Sequence, residues 1–152
     1  MKEIKKLQVS AIKNGTVIDH IPANALFNVL SILNLKEVDT QISFGTNLDS
    51  SRMGKKGIIK VEDKYFKDSE INKIALVARQ AKLNIIKEYD VVDKRIVEIP
   101  DEIIGIAKCV NPQCITNHER ITTKFSVISK EKVTLLCRYC EKITDQEHIE
   151  II

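Results

Sequence analysis

Tryptophan is absent from this chain, and tyrosine and proline occur only three times each. A surface so poor in aromatics lacks the stacking platform on which single-stranded nucleic acids are held. No segment is of low complexity and no repeat period appears, which excludes fibrous and solenoid architectures. No run approaches the 18 or more apolar residues of a membrane-spanning helix. Residues 2–6 (KEIKK) lack the apolar stretch of a secretory leader. The chain is therefore expected to be soluble and cytoplasmic, with no membrane partner. Cysteine is missing from the first 108 residues, so that part must be held by its own core.

Charge of one sign is scarce as well. The formal net charge is +3, and residues 1–98 carry 17 Lys/Arg against 13 Asp/Glu, while residues 99–152 carry 7 against 8. A weakly basic front part suits a small anionic ligand. It lacks the dense basic stripe of a duplex-binding surface, so no nucleic-acid partner is expected.

What is present is concentrated near the end. Four cysteines follow the spacing Cys109-x4-Cys114-x22-Cys137-x2-Cys140. Two close pairs separated by a longer insert are the pattern of a tetrahedral Zn²⁺ site. Two disulfides are the other use of four cysteines, and an intracellular setting disfavours them. A site filled by four thiolates has no open position, so one Zn²⁺ per chain would be structural and would not activate water. His118, four residues after Cys114, is a weaker candidate ligand.

Periodicity organises the rest. Residues 5–13 alternate as a half-buried strand, Asn14-Gly15 signals a hairpin, and Thr16–Ile18 returns as a second strand. Pro22 followed by Leu26, Val29, Leu30 and Leu33 predicts a helix over 22–34. Gln41–Asn47 and Gly57–Glu62 read as strands around a loop at Ser50–Gly54. Asp68 or Ser69 caps a second helix running to about Ala81, and Tyr89–Val97 is a further strand. Pro100-Asp101-Glu102 marks a linker, followed by a β-rich cysteine module with strands at 122–128 and 132–136. The expected fold is α+β: an N-terminal antiparallel sheet with two helices on one face, then a small β-rich four-cysteine zinc domain. The expected division is 1–98, a linker at 99–104, and 105–152. A module of about 50 residues buries little core alone, and metal ligation would supply folding energy directly.

Asp19-His20 can pair a carboxylate that accepts from ribose hydroxyls with an imidazole that donates to phosphate. Lys56 and Lys60 have even spacing on one strand and leave the same face. Lys94 lies on the last N-terminal strand. Taken alone, these residues are equally compatible with a solvated polar surface.

Four segments together carry a resemblance: LQVSAIKNGTVIDHIPA at 7–23, MGKKGIIKVED at 53–63, YDVVDK at 89–94, and the cysteine pattern ending CRYCEK at 137–142. In this order and spacing they resemble the regulatory chain of aspartate carbamoyltransferase over the full length. The resemblance implies a non-catalytic allosteric subunit in pyrimidine biosynthesis. It implies that residues 1–98 bind the effectors CTP, UTP and ATP and pair with a second regulatory chain. The zinc domain would dock on catalytic chains, in a dodecamer of two catalytic trimers and three regulatory dimers. Lys60 would lie near base and ribose, with His20, Lys94 and Lys56 at phosphates. Val9, Ala11, Ile12, Val17 and Ile58, with Asn84, Ile86, Tyr89 and Val91, would surround the base. Asn14 and Ile96 stand where family members can carry arginine. Asn111, Gln113, Glu119, Arg138, Tyr139, Glu141 and Lys142, beside the ligands, would meet catalytic chains.

Two other classes compete. A zinc-ribbon nucleic-acid-binding protein could use Lys124, Lys130, Lys132 and Arg138, against a tail of net negative charge. An enzyme lacks a nucleophile, an open metal position and an organised acid–base pair. Asp19 and His20 are adjacent on a strand and are expected to diverge.

Overall fold

The computed structural model describes residues 11–152; the expected strand over 5–13 and Val9 lie largely or wholly outside them. The chain divides into two compact units between Glu98 and Ile99.

The first unit is built on a five-stranded antiparallel sheet. Its strands are β1 (Gly15–Pro22), β2 (Ile42–Ser50), β3 (Gly54–Glu62), β4 (Lys82–Lys87) and β5 (Asp90–Ile96), in the order β2-β3-β1-β4-β5. Alternation along β3 separates two faces. Ile59 and Val61 are fully buried, while Lys56, Ile58, Lys60 and Glu62 turn the other way and stay half-buried. Ile18 and Leu83 are fully buried on the same side as Ile59, in register with it across β1. Leu26, Val29, Ile71 and Ile74, from the helices, complete this core. Among the described residues no helix covers the opposite face of the sheet, and polar side chains such as Lys56, Lys60 and Asn84 stay half-buried there.

Both helices are shorter than their sequence periodicity predicts. Residues 23–25 form a 3-10 turn that leads into α1 (Leu26–Ile32). The second, α2, spans only Asp68–Ile71 before tightening into a 3-10 turn over Asn72–Leu76. Ile74, Ala75 and Leu76 are consecutive and all buried, so the C-terminal part of the segment is packed on every side and has no polar stripe of its own. Neither Asp68 nor Ser69 is the N-cap: the helix starts at Asp68, and Glu70 Oε1 accepts from the Lys67 N–H at 3.1 Å.

Two turns differ from expectation. The loop at Ser50–Gly54 shrinks to a tight hairpin because β2 runs to Ser50 and β3 begins at Gly54, whose φ of 80° suits glycine. The β-rich stretch after Leu83 is not one strand but the hairpin β4–β5. Its turn is Glu88-Tyr89, with φ of 50° and 69°, a left-handed pair normally signalled by Asn or Gly. The turn is anchored from outside: Tyr89 N–H donates to the Lys13 carbonyl at 2.9 Å, and Glu88 N–H to Asn14 Oδ1 at 3.1 Å.

The second unit holds a four-stranded antiparallel sheet of order β10-β9-β8-β6. Here β6 is Glu102–Ile104, β8 Lys124–Ser129, β9 Thr134–Cys137 and β10 Ile143–Thr144. A two-stranded ribbon pairs β7 (Ala107–Lys108) with β11 (Glu150–Ile151). Glu102–Ile104, inside the stretch read as linker, pairs with β8, and Ile103 is fully buried. Phe125, Val133 and Leu135 complete a small core. No helix among the described residues is long and apolar enough to cross a membrane.

Candidate nucleotide face and metal centre

The register of the first sheet assembles the predicted nucleotide residues. Lys60 pairs with Val17, Val17 with Asn84, and Asn84 with Lys94. These four form one transverse row across β3, β1, β4 and β5, on the face without helices. At one strand spacing per step the row is about 14 Å wide. The next row contains Asp19, opposite Lys82, which is opposite Ile96.

Where the sequence predicts that Asp19 and His20 diverge, the structure corrects it. The register of β1 slips between Ile18 and Ile21, and His20 adopts φ of 60°. An irregularity of this kind re-aims a side chain, and both residues line one cleft. The cleft has a volume of about 450 Å³ and is lined by Asp19, His20, Lys82, Asn84, Lys94, Arg95 and Ile96. A left-handed, non-glycine residue at a cleft is the kind of strain that collects at functional sites.

Electrostatics tie this cluster together. Lys56 Nζ lies 2.8 Å from Asp19 Oδ1, which also accepts from the His20 backbone N–H at 2.7 Å. His20 Nδ1 is buried, has no hydrogen-bond partner, and is 3.8 Å from Asp19 Oδ2. Burial lowers the His20 pKa, Asp19 opposes the shift, and the cations Lys56, Lys82 and Arg52 add to it. Burial also lowers Lys60, again opposed by Asp19. The cleft thus brings Lys82, Lys94 and Arg95 beside a histidine whose charged form burial disfavours.

Of the other residues predicted to surround the base, Ile86, Val91 and Tyr89 lie at the hairpin end of β4 and β5, whereas Ile58 lies beside the irregularity at Asp19-His20. Ile86 is buried and opposes Gly15 and Val91; Val91 and Tyr89 are exposed. Ile12 is buried in the core and Ala11 is exposed. None of these lines the 450 Å³ cleft. Lys82 and Arg95 do, and sequence reasoning missed both. Lys82 carries a faint signal, since it is two residues before Asn84 and so shares its face.

In the second unit the four Cys Sγ atoms lie within 4.8 Å of one another. Cys109 and Cys140 are 3.6 Å apart, and Cys114 and Cys137 are 3.8 Å apart. A tetrahedral ZnS₄ centre with Zn–S of about 2.3 Å needs S···S near 3.8 Å. The separations exceed the disulfide length of about 2.05 Å, so all four cysteines are free thiols and the disulfide alternative falls. Burial pushes Cys109 up to about 12 and raises Cys137. Three of these cysteines are buried and Cys140 is half-buried, and four adjacent thiols ionise together only with a cation among them, so the donor set fits a metal.

The surrounding turns hold the ligands. Cys114 N–H donates to the Asn111 carbonyl at 3.0 Å, and Cys137 N–H to the Lys142 carbonyl at 3.0 Å. Asn117 Nδ2 donates to the carbonyls of Cys109 and Asn111, at 3.0 and 2.8 Å. Thr116 Oγ1 is 3.2 Å from Cys114 Sγ. Thr116 and Asn117 were not singled out from sequence, because nothing in their spacing marks them. His118 is exposed and outside the cluster. Gln113, Glu119, Arg138, Tyr139, Glu141 and Lys142 are exposed around it, and Asn111 is half-buried. Arg138 pairs with Glu102 at 3.0 Å, and the Tyr139 hydroxyl donates to the Thr122 carbonyl at 3.2 Å.

Comparison with known proteins agrees with this division of labour. Residues 7–98 match the family model described as aspartate carbamoyltransferase regulatory chain, allosteric domain. Residues 101–150 match the one described as aspartate carbamoyltransferase regulatory chain, metal binding domain. Similar proteins include aspartate carbamoyltransferase regulatory chains of Bacteroides fragilis, 55% identical over all of both chains, and Bacteroides thetaiotaomicron, 53% identical over the same extent. That of Thermococcus sibiricus is 52% identical over 96% of this chain and 97% of its own. The chain belongs to the aspartate carbamoyltransferase regulatory chain family, and it is a regulatory subunit, not a catalytic one.

Proposed function

We propose that this regulatory chain binds CTP, UTP and ATP on residues 1–98 and carries their effect to catalytic chains of aspartate carbamoyltransferase through residues 105–152, across a connection at 99–104. The observation that carries this reading is the row Lys60, Val17, Asn84, Lys94, set beside a cationic cleft. Asp19 is an acceptor for ribose hydroxyls. His20, Lys56 and Lys94 meet phosphates, and Lys60 meets base and ribose. Val9, Ala11, Val17, Ile58, Ile86 and Val91 form the apolar slot, and backbone groups near Ile12 and Tyr89 read the base edge.

Cys109, Cys114, Cys137 and Cys140 would hold one Zn²⁺, which fixes the fold of the second unit and supplies no reactive position. Asn111, Gln113, Glu119, Arg138, Tyr139, Glu141 and Lys142 form the docking edge. Among the described residues β2 and β5 are the outer strands of the sheet, which supports pairing of two regulatory chains through an edge. Three such dimers would join two catalytic trimers in a cytoplasmic dodecamer. An effector bound to one quaternary state better than the other shifts their balance, with coupling of about 1–3 kcal/mol.

The test is calorimetry of the purified chain with CTP and ATP, repeated on Lys60→Ala and Lys94→Ala. Each loses a charge-assisted contact, and affinity should fall by about 1.5–3 kcal/mol. Unchanged affinities in both variants would place the site elsewhere.

A further inference from the structure

Lys82 is absent from the roles assigned above, yet it opens β4 at the mouth of the cleft. It stands opposite Asp19 on one side and Ile96 on the other, and its side chain lines the cavity. The cations around this space are not equivalent. Lys56 is occupied by Asp19, and Arg95 by Asp68 and Asp93. Lys82 and Lys94 line the cleft and have no ion pair among the described residues. They are diagonal neighbours across β4 and β5, a relation that puts β-carbons about 7–8 Å apart. Two ammonium groups on flexible stems can therefore close on one chain of phosphates. Ile96, beside Lys82, is 72% exposed and offers neither charge nor competition.

The direction of the ligand follows from the strand. Proceeding along β4, Ile86, Asn84 and Lys82 leave the same face, each pair separated by about 7 Å. The base slot is at the Ile86 end, so Lys82 marks the far, polyphosphate end, roughly 14 Å away. We infer that Lys82 is a further anion-binding residue of this site, one that grips the terminal phosphates and makes the site select by phosphate number. The inference rests on the nucleotide reading given above. Lys94, nearer Asn84, serves the inner phosphates, and Lys82 is engaged only by ligands long enough to reach it.

The experiment is a calorimetric series of CTP, CDP and CMP on the full-length chain and on Lys82→Gln and Lys82→Arg. The side chain is exposed, so the variants should keep the thermal unfolding midpoint of the parent. Lys82→Gln should weaken CTP about tenfold or more and CMP less than twofold, collapsing the preference for the triphosphate. Lys82→Arg should retain most of that preference. Equal losses for CTP and CMP, or an unchanged CTP affinity in Lys82→Gln, overturn the role of Lys82 and leave the nucleotide reading standing. Absence of nucleotide binding in the parent chain overturns both.

Discussion

Asp19 Oδ1 lies 2.8 Å from Lys56 Nζ, joining β1 to β3 at the edge of the cleft, with each side chain about one-fifth exposed. The same oxygen accepts from the His20 backbone N–H, so one carboxylate both restrains the irregular strand and holds a lysine. Removing the lysine takes away the ion-pair partner of Asp19 and leaves its negative charge less compensated where phosphates are proposed to bind. Lys56→Ala should cost more in urea unfolding than the roughly 1 kcal/mol of an exposed pair, because each side chain is only about one-fifth exposed. Its CTP affinity should fall at least about tenfold. Adding Asp19→Asn should recover part of the loss, and a double-mutant cycle by calorimetry measures the coupling. Strictly additive effects would show that the pair does not act as a unit in binding.

His20 supplies a pH dependence with a defined sign. Its pKa is lowered from the usual 6.5, with burial the main cause, Asp19 opposing, and Lys56, Lys82 and Arg52 reinforcing. A bound polyphosphate would raise it again, so binding takes up a proton near neutral pH. Affinity then gains from falling pH until the free-site pKa is passed. For folding the sign is opposite: the unfolded chain holds the extra proton below about pH 6.5, so His20 withdraws stability as pH drops through that window. Comparing proton uptake in buffers of different ionisation enthalpy checks this, with His20→Asn as reference because Asn tolerates the left-handed backbone. The parent should take up more protons than the variant; equal uptake would contradict it.

Cys114→Ala should release the metal and unfold the second unit while the first stays folded. Structural zinc in small domains contributes on the order of 10–16 kcal/mol of apparent binding energy. The core of this unit rests on few large side chains, Phe125, Val133, Leu135 and Ile103 among them, and cannot replace that contribution. Elemental analysis should give one zinc per parent chain and none in the variant. Fully assembled protein without zinc would refute the metal's role.

The alternation of β3 was legible, and with it the shared face of Lys56 and Lys60. The four cysteines were legible as well, because ligand chemistry forces both residue type and spacing. Other features depend on tertiary context. Glu88 and Tyr89 carry no turn signal, yet anchoring to Lys13 and Asn14 holds them in left-handed conformations. The α2 segment has an apolar repeat, but burial of the three successive residues Ile74, Ala75 and Leu76 leaves its C-terminal part without the polar face a longer helix needs. The irregularity at His20 leaves no mark in composition, which is why Asp19 and His20 were expected to point apart. Lys82 enters the cleft through strand register, and register is set by partners distant in sequence.

The central claim is tested most directly by aspartate saturation of the catalytic trimer alone, with this chain, and with its Lys60→Ala/Lys94→Ala form, each with and without CTP. CTP should shift the curve only when the unaltered chain is present, and the double variant should assemble normally while abolishing that shift. An isolated catalytic trimer that responds to CTP as the complex does would show that this chain is not the regulator.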